Sequence, residues 1–392
     1  MSEPEGRGAA WTVFSPPEPP QARHPREPKG AAPPGLPREP KGAAPSGLTS
    51  EERARREGGA SRAPGGERED RAPGGERENR ASKKHSPLLL RTRAELAAAR
   101  PRLAAPVVLV PTMGALHAGH RALLRAARAA AGPAGSVIVS IFVNPLQFRP
   151  GEDLDRYPRT LEADLAMCAD EGVRAVFAPL AAQMYPGSRP EVTVDPGPMG
   201  QVFEGEFRPG FFGGVLTVVL KLFHLTRPDV AVFGEKDAQQ LALVRRLVSD
   251  TDLDLAIESV PTVRDADGLA TSSRNRYLSA ADRAVALALP RALRAGQARA
   301  AGDATEDGQS AGAVLAAARE VLAAEPALAV DYVAVVDPRT FAAAGPGHAG
   351  PALIVAAVTA GGTRLIDNVP VVLTADPDRR STERDLRGAA DH

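Results

Sequence analysis

Short β-branched runs alternate with helical patterns along most of this chain, and that alternation restricts the possible folds more than any other feature. Val107-Val-Leu-Val-Pro111 reads as a strand, and 122–131 as a helix ended by Gly132-Pro133. Ser136-Val-Ile-Val-Ser-Ile-Phe-Val-Asn144 is apolar on both of its alternating faces, as a strand covered on both sides would be. Further strands are expected at 175–178, 230–233 and 255–260, with helices at 93–103, 161–171, 214–225 and 239–250. Strand followed by helix, repeated, predicts an α/β chain with a Rossmann-like, doubly wound parallel sheet. Beyond Arg274 the pattern shifts to helices at 280–299 and 311–323 and strands at 330–336, 352–358 and 363–367, which predicts a second, smaller α/β domain.

The first 85 residues contrast with this. They are crowded with Pro, Gly, Arg and Glu, hold no Ile, Tyr or Cys, and offer only Trp11 and Phe14 as aromatic anchors. Such a segment cannot bury enough apolar surface to offset the entropy of ordering itself. Two tandem repeats, Arg26-Glu-Pro-Lys-Gly-Ala-Ala-Pro recurring from Arg38 and Arg62-Ala-Pro-Gly-Gly-Glu-Arg-Glu recurring from Arg71, are too short and too polar to build a solenoid. A disordered extension, an upstream start codon chosen in error and a partner-binding arm all remain open readings. The expected organisation is an extension over 1–85, a nucleotide- and substrate-binding domain over 86–262, a smaller domain over 263–376 and a charged tail over 377–392.

The 392 residues carry a formal charge of zero, without a basic run interleaved with aromatics, so nucleic acid is not an expected partner. The single cysteine, Cys168, excludes an internal disulfide and any cysteine-cluster metal site. It falls in an apolar pattern with Leu165 and reads as core packing in preference to a nucleophile. No run approaches the roughly twenty apolar residues that span a bilayer. The N-terminus has no apolar export core. The expectation is a soluble, cytoplasmic protein acting on small molecules.

Four segments carry chemistry. The first is Pro111-Thr-Met113-Gly114-Ala115-Leu116-His117-Ala118-Gly119-His120, between a strand and a helix. Its glycines let backbone approach a ligand, and the helix start presents free N–H groups to phosphate. His117 and His120 share the face of the first turn and can donate to triphosphate oxygens. Helix-capping surface histidines, or two ligands of a zinc site lacking a recognisable third, are the competing readings.

The second segment is Phe142-Val-Asn144-Pro-Leu-Gln147, at the end of the next strand, where Asn144 and Gln147 can recognise hydroxyl and carboxylate groups or serve as ordinary turn residues. The third, Gly234-Glu235-Lys236-Asp237-Ala-Gln239-Gln240, again follows a strand; Lys236 can neutralise phosphate, with Gln240 one turn on, or the segment is a capped helix with a solvated ion pair. The fourth, Val263-Arg264 through Thr271-Ser272-Ser273-Arg274, places two hydroxyls before an arginine in a Gly-containing loop, suited to a triphosphate grip or to a Ser-rich turn.

In order and spacing these segments resemble the pantothenate synthetases, the pantoate–β-alanine ligase family of the HIGH-motif nucleotidyltransferase superfamily, from about residue 88 to 374. Gly151-Glu-Asp-Leu-Asp-Arg-Tyr157-Pro-Arg-Thr, Arg208-Pro-Gly-Phe-Phe-Gly-Gly-Val215 and Arg364-Leu-Ile-Asp-Asn368 belong to the same likeness. The resemblance implies ATP-dependent activation of pantoate as an adenylate, then capture by β-alanine to give pantothenate and AMP. Mg2+ would arrive with the ATP, no protein residue being assigned to it, and the protein would be a homodimer.

By the same likeness Met113 to His120, Gly234 to Asp237, Val263 and Thr271 to Arg274 hold ATP. Gln147, Gln240 and Asn144 hold substrate, and His120 is the usual proton donor. A carboxylate nucleophile needs no deprotonation and pyrophosphate leaves readily, so His117, His120, Lys236 and Arg274 are expected to act chiefly by stabilising charge. Three positions depart from the family: Phe211 where His is usual, Thr271 where Met is frequent, and Ala238 where an aromatic is frequent.

Overall fold

The structure, a computed structural model, describes residues 86–302 and 310–374. The expected extension over 1–85, with its repeats, and the tail over 377–392 lie outside the described residues. Six parallel strands form the main sheet: β1 (Leu88–Leu90), β2 (Val107–Thr112), β3 (Ser136–Ile141), β4 (Ala175–Phe177), β5 (Val230–Gly234) and β6 (Ala256–Val260), in the order β1-β4-β3-β2-β5-β6. Between them run α1 (Arg93–Ala99), α2 (Ala118–Ala131), α3 (Leu161–Asp170), α4 (Ala181–Met184), α5 (Glu204–Phe207), α6 (Phe211–Thr226) and α7 (Ala238–Asp250). The chain then continues through α8 (Ala280–Ala286), α9 (Ala288–Ala301) and α10 (Ala311–Ala323) to a second sheet, β7 (Ala329–Val336), β8 (Gly350–Ala360) and β9 (Thr363–Leu373).

Alternation along the central strands explains the two-layered cover. Val107 and Leu109 of β2 pack with Leu96, Leu222, Leu243 and Val244 from α1, α6 and α7. Val108 and Val110 point the other way, onto Leu124 and Ala127 of α2 and Cys168 of α3. Every one of these side chains is withdrawn from water, the valines and leucines each contributing on the order of 1.5–3 kcal/mol if fully buried. Cys168 is thus core, and burial followed by the neighbouring Asp164 charge pushes its thiol up to about 12, far from a nucleophile's range.

The expected elements are present with shifted ends. Pro101 halts α1, and 100–102 close as a 3-10 turn where the sequence pattern extends the helix to 103. The helix expected at 122–131 starts four residues earlier, at Ala118, with His117 as its cap. The run 280–299 breaks at Leu287 into α8 and α9. β1, three leucines at the sheet edge beside β4, has no expected counterpart. The smaller sheet is antiparallel, β7-β8-β9, covered by α8 to α10 around Leu289, Leu293, Val314 and Ile354.

Charged and polar bonds join this smaller sheet to the main one. Arg264, beyond β6, donates to both oxygens of Asp367 on β9 at 2.6 and 3.0 Å, and Asn368 Nδ2 donates to the carbonyls of Glu235 and Lys236, each at 2.9 Å. The Asp367 carboxylate is fully buried, so removing its partner leaves an uncompensated charge. Arg264→Met is expected to lower the unfolding free energy by about 3 kcal/mol or more in urea titrations, and a loss under about 1 kcal/mol would refute the pair's role.

Candidate active site

The strand order reverses between β2 and β5, whose pairing runs through Val108↔Val230 and Leu109↔Ala231. At such a switch point the turns leaving both carboxyl ends face one crevice. After β2, Gly114 (φ 84°) and Ala115 (φ 52°) are both left-handed. A Cβ on Gly114 would stand 2.9 Å from Ile141 Cγ2 and 3.1 Å from Asp164 Oδ2, so the position accepts little besides glycine. Alanine at 115 holds its conformation at a cost of about 1–2 kcal/mol. Beneath the turn the buried Asp164 carboxylate accepts from Ala115 N (3.0 Å), Leu116 N (2.8 Å) and Thr160 Oγ1 (3.1 Å).

The turn delivers two histidines. His117 caps α2, its Nδ1 accepting from Gly119 N at 3.1 Å, while His120 Nδ1 accepts from His117 N at 3.3 Å. The rings lie 4.1 Å apart. Burial first, then the charge of Lys236, lowers His117 to about 4. Burial, His117 and Lys236 lower His120 to about 3. Both rings are therefore neutral at pH 7, and because each Nδ1 must keep a lone pair for a backbone N–H, each proton resides on Nε2. Capping and ligand contact are compatible: Nδ1 serves the helix and Nε2–H is left as a donor.

A cavity of about 1070 Å³ is bordered by His117 and His120 together with Met113, Gly119, Gly234, Lys236, Asp237, Val263, Thr271, Ser272, Ser273 and Arg274. Gln147 and Gln240 line the same cavity. Gly114, Ala115, Leu116 and Ala118 do not; the first two are buried beneath the turn, and Ala118 is exposed. Glu235 points toward β6, accepting from Ser259 Oγ at 2.9 Å. Asn144 is buried with both ends of its amide engaged, Nδ2 donating to Gln147 Oε1 (2.9 Å) and Gly214 O (3.1 Å), Oδ1 accepting from Tyr185 Oη (3.0 Å) and Leu146 N (3.3 Å). It orients Gln147 and does not reach the cavity. Gly214 has no room for a side chain, since a Cβ there would run into the Leu146 carbonyl.

Several residues of segments that the likeness marks owe their roles to partners distant in sequence. Arg274 is paired with Asp153, Nε and Nη2 each 3.3 Å from a carboxylate oxygen, and Tyr157 Oη lies 3.4 Å from Ser273 Oγ. Arg208 Nη2 donates to the Gln147 carbonyl and to Glu152, both at 2.8 Å. These partners are separated by 56 to 121 residues, and no local periodicity announces them. Thr271 turns its hydroxyl onto Asp265 at 2.7 Å and donates its backbone N–H to the Val263 carbonyl at 2.9 Å.

The model of the pantoate-beta-alanine ligase family matches residues 88–370. A pantothenate synthetase of Thermobifida fusca is 58% identical over 302 residues, 75% of this chain and 98% of that protein. One from Acidothermus cellulolyticus is 59% identical over 288 residues, 73% and 92% of the two chains. Among solved structures, the pantothenate synthetase of Thermus thermophilus superposes with a TM-score of 0.66 at 46% identity, over 72% of this chain and 98% of that one. The pantoate-beta-alanine ligase of Francisella tularensis, complexed with beta-gamma ATP and beta-alanine, gives 0.58 at 31%, over 72% and 97%.

The depressed histidines have a measurable consequence. Between about pH 6.5 and 4 the unfolded chain takes up protons that folded His117 and His120 refuse, so their stabilising effect is complete above pH 6.5 and declines as pH falls. The urea midpoint is expected to drop from pH 7 to pH 5. His120→Asn, whose side-chain oxygen can accept the His117 N–H without titrating, should flatten that decline. An NMR titration in which either imidazole protonates near pH 6.5 would contradict the assignment.

Proposed function

Since the chain belongs to the pantoate–β-alanine ligase family and is a ligase, we propose that it activates pantoate with ATP as a pantoyl adenylate and transfers the pantoyl group to β-alanine. The observation that carries this reading is the convergence of His117, His120, Lys236 and Arg274 with Gln147 and Gln240 on one cavity at the switch point. The Francisella relative's complex with beta-gamma ATP and beta-alanine supports the choice of substrates.

In the first step a pantoate carboxylate oxygen attacks the α-phosphorus, the bond to the bridging oxygen breaks, and pyrophosphate leaves. Charge grows on the phosphoryl oxygens and on the departing pyrophosphate. Lys236 and Arg274 meet it with full charges, and the histidines with Nε2–H donors in a site that burial has already desolvated. A neutral imidazole whose Nδ1 is committed to backbone has no acidic proton to give at pH 7, which favours charge stabilisation over proton donation. Gln147 and Gln240 would hold pantoate, Gln147 with its Oε1 already committed to Asn144 and its Nε2 as donor. For Arg274 the scheme requires a phosphate to compete with Asp153.

In the second step the β-alanine amine attacks the acyl carbon, the bond between that carbon and the AMP phosphate oxygen breaks, AMP departs, and the nitrogen gives one proton to solvent as the amide forms. A homodimer working in the cytoplasm is part of the same reading, on the strength of the family likeness. Magnesium would enter with the ATP. Among the described residues no group of three or more His, Cys, Asp or Glu could hold a metal ion, and the oxygens of Asp164 are engaged by N–H and O–H donors, so no step is routed through a protein-held metal.

Pyrophosphate release should require ATP and pantoate together, and pantothenate should appear only when β-alanine is added. ATP turnover indifferent to pantoate, with transfer to a phosphate acceptor, would identify a nucleotidyltransferase of another kind. His120→Ala is expected to slow adenylate formation about 10²-fold or more; a rate within about twofold of the wild type, read by single-turnover pyrophosphate release, would remove histidine from the charge-stabilising set.

A further inference from the structure

The cavity wall accounts for the groups that face a ligand but not for what keeps the nucleotide turn in shape. Two consecutive left-handed residues, one of them alanine, sit between β2 and the histidine cap. Alanine reverts readily from that region unless something holds it. Thr112 Oγ1 accepts from Gly114 N at 3.2 Å and donates to the Ser140 carbonyl at 2.8 Å, which fixes only the start of the turn. The next two amides, Ala115 N and Leu116 N, donate to separate oxygens of Asp164. Asp164 is 2% exposed, lies in the first turn of α3 and takes a third bond from Thr160 Oγ1. A carboxylate removed from water keeps its charge only if donors replace the water, and here two of the donors belong to the turn.

We propose that Asp164 is a positioning residue for the nucleotide site: its carboxylate, by gripping the amides of Ala115 and Leu116, holds the left-handed turn that aims His117 and His120 at the triphosphate. This rests on the reading that the turn from Met113 to His120 holds ATP. Asp164 does not line the cavity, the turn lying over its carboxylate. Its carboxylate oxygens are occupied by protein donors, which distinguishes this role from holding a metal. The role also ties the turn to α3, and so to the preceding segment whose Asp153 and Tyr157 reach Arg274 and Ser273.

The test uses the full chain and steady-state pyrophosphate release. Asp164→Asn keeps the shape but sets an NH2 against one of the two backbone N–H groups. KM for ATP is expected to rise at least about tenfold, equivalent to about 1.4 kcal/mol, with KM for pantoate within about twofold and the defect persisting at saturating magnesium. Thr160→Val, which removes a single supporting bond, should shift KM for ATP the same way by about threefold, or about 0.65 kcal/mol by the same conversion.

Unchanged ATP KM in Asp164→Asn, equal rises for ATP and pantoate, or recovery on raising magnesium would each overturn the assignment. Hydrogen exchange of the wild-type amides provides a measurement independent of turnover and of whether the variant folds. Ala115 and Leu116 should be protected at least about 10²-fold relative to an open chain, and exchange at open-chain rates would overturn the proposal. A wild type that releases no pantoate-dependent pyrophosphate would count against the proposed reaction, leaving the exchange measurement to decide on Asp164.

Discussion

The parallel pairing of β2 with β5 is the constraint on which the site depends. Both strands are covered on both faces, so neither can slide without driving Val108, Leu109, Ala231 or Val232 out of a close-packed layer. With the register fixed, the turns after Thr112 and after Phe233 emerge side by side, and the histidine pair and Lys236 become neighbours although more than a hundred residues separate them. Asn368 completes the arrangement from the smaller sheet by gripping the carbonyls of Glu235 and Lys236. The loop from Thr271 to Arg274, which lines the same cavity, follows Arg264, itself bound to the buried Asp367.

That geometry determines the electrostatics. Burial and the nearby Lys236 charge keep the two imidazoles neutral, so the permanent positive charge facing the cavity comes from lysine and arginine, while the histidines contribute oriented dipoles. The division suits a ligand that brings several negative charges: cations attract it, and preorganised donors adjust to the charge redistribution as a bond to phosphorus forms. Arg274 is half-buried; desolvation opposes its charge, but Asp153, helped by Tyr157 and Asp237, more than offsets that and keeps it ionised. A cation held in this way is ordered before any ligand arrives.

Much of this was legible in the sequence, and the reasons are local. Strand and helix type follow from hydrophobic period, so the main sheet was readable from runs such as Val107 to Val110 and Val137 to Val139. The turns carrying His117, His120, Lys236 and Arg274 were readable because each occupies a short contiguous segment. What escaped has a common cause. Leu88–Leu90 is too brief for a period to declare itself, and its strand character comes from pairing with β4. α2 begins earlier than its hydrophobic pattern indicates because His117 serves as cap through its ring nitrogen, a role normally taken by a short oxygen-bearing side chain. Asp153 and Arg208 stood in segments that the family likeness marked, but their roles, like the inward commitment of Asn144, depend on partners distant in sequence.

The departure at Phe211 shows how structure can give a physical meaning to a residue that sequence comparison marks only as unusual. The guanidinium of Arg208 lies 3.9 Å from the centre of the Phe211 ring, within range of a cation–π contact. The same guanidinium donates to the Gln147 carbonyl and to Glu152. An imidazole at position 211 would place a polar, titratable ring against a cation, whereas phenylalanine presents a face that attracts the cation without accepting or releasing a proton. The aromatic ring therefore supports the arginine that braces Gln147, and Asn144 braces the same glutamine from its amide end. With its backbone carbonyl held by Arg208 and its side-chain oxygen by Asn144, Gln147 has less conformational freedom left to lose on binding, which favours recognition of a small polar substrate.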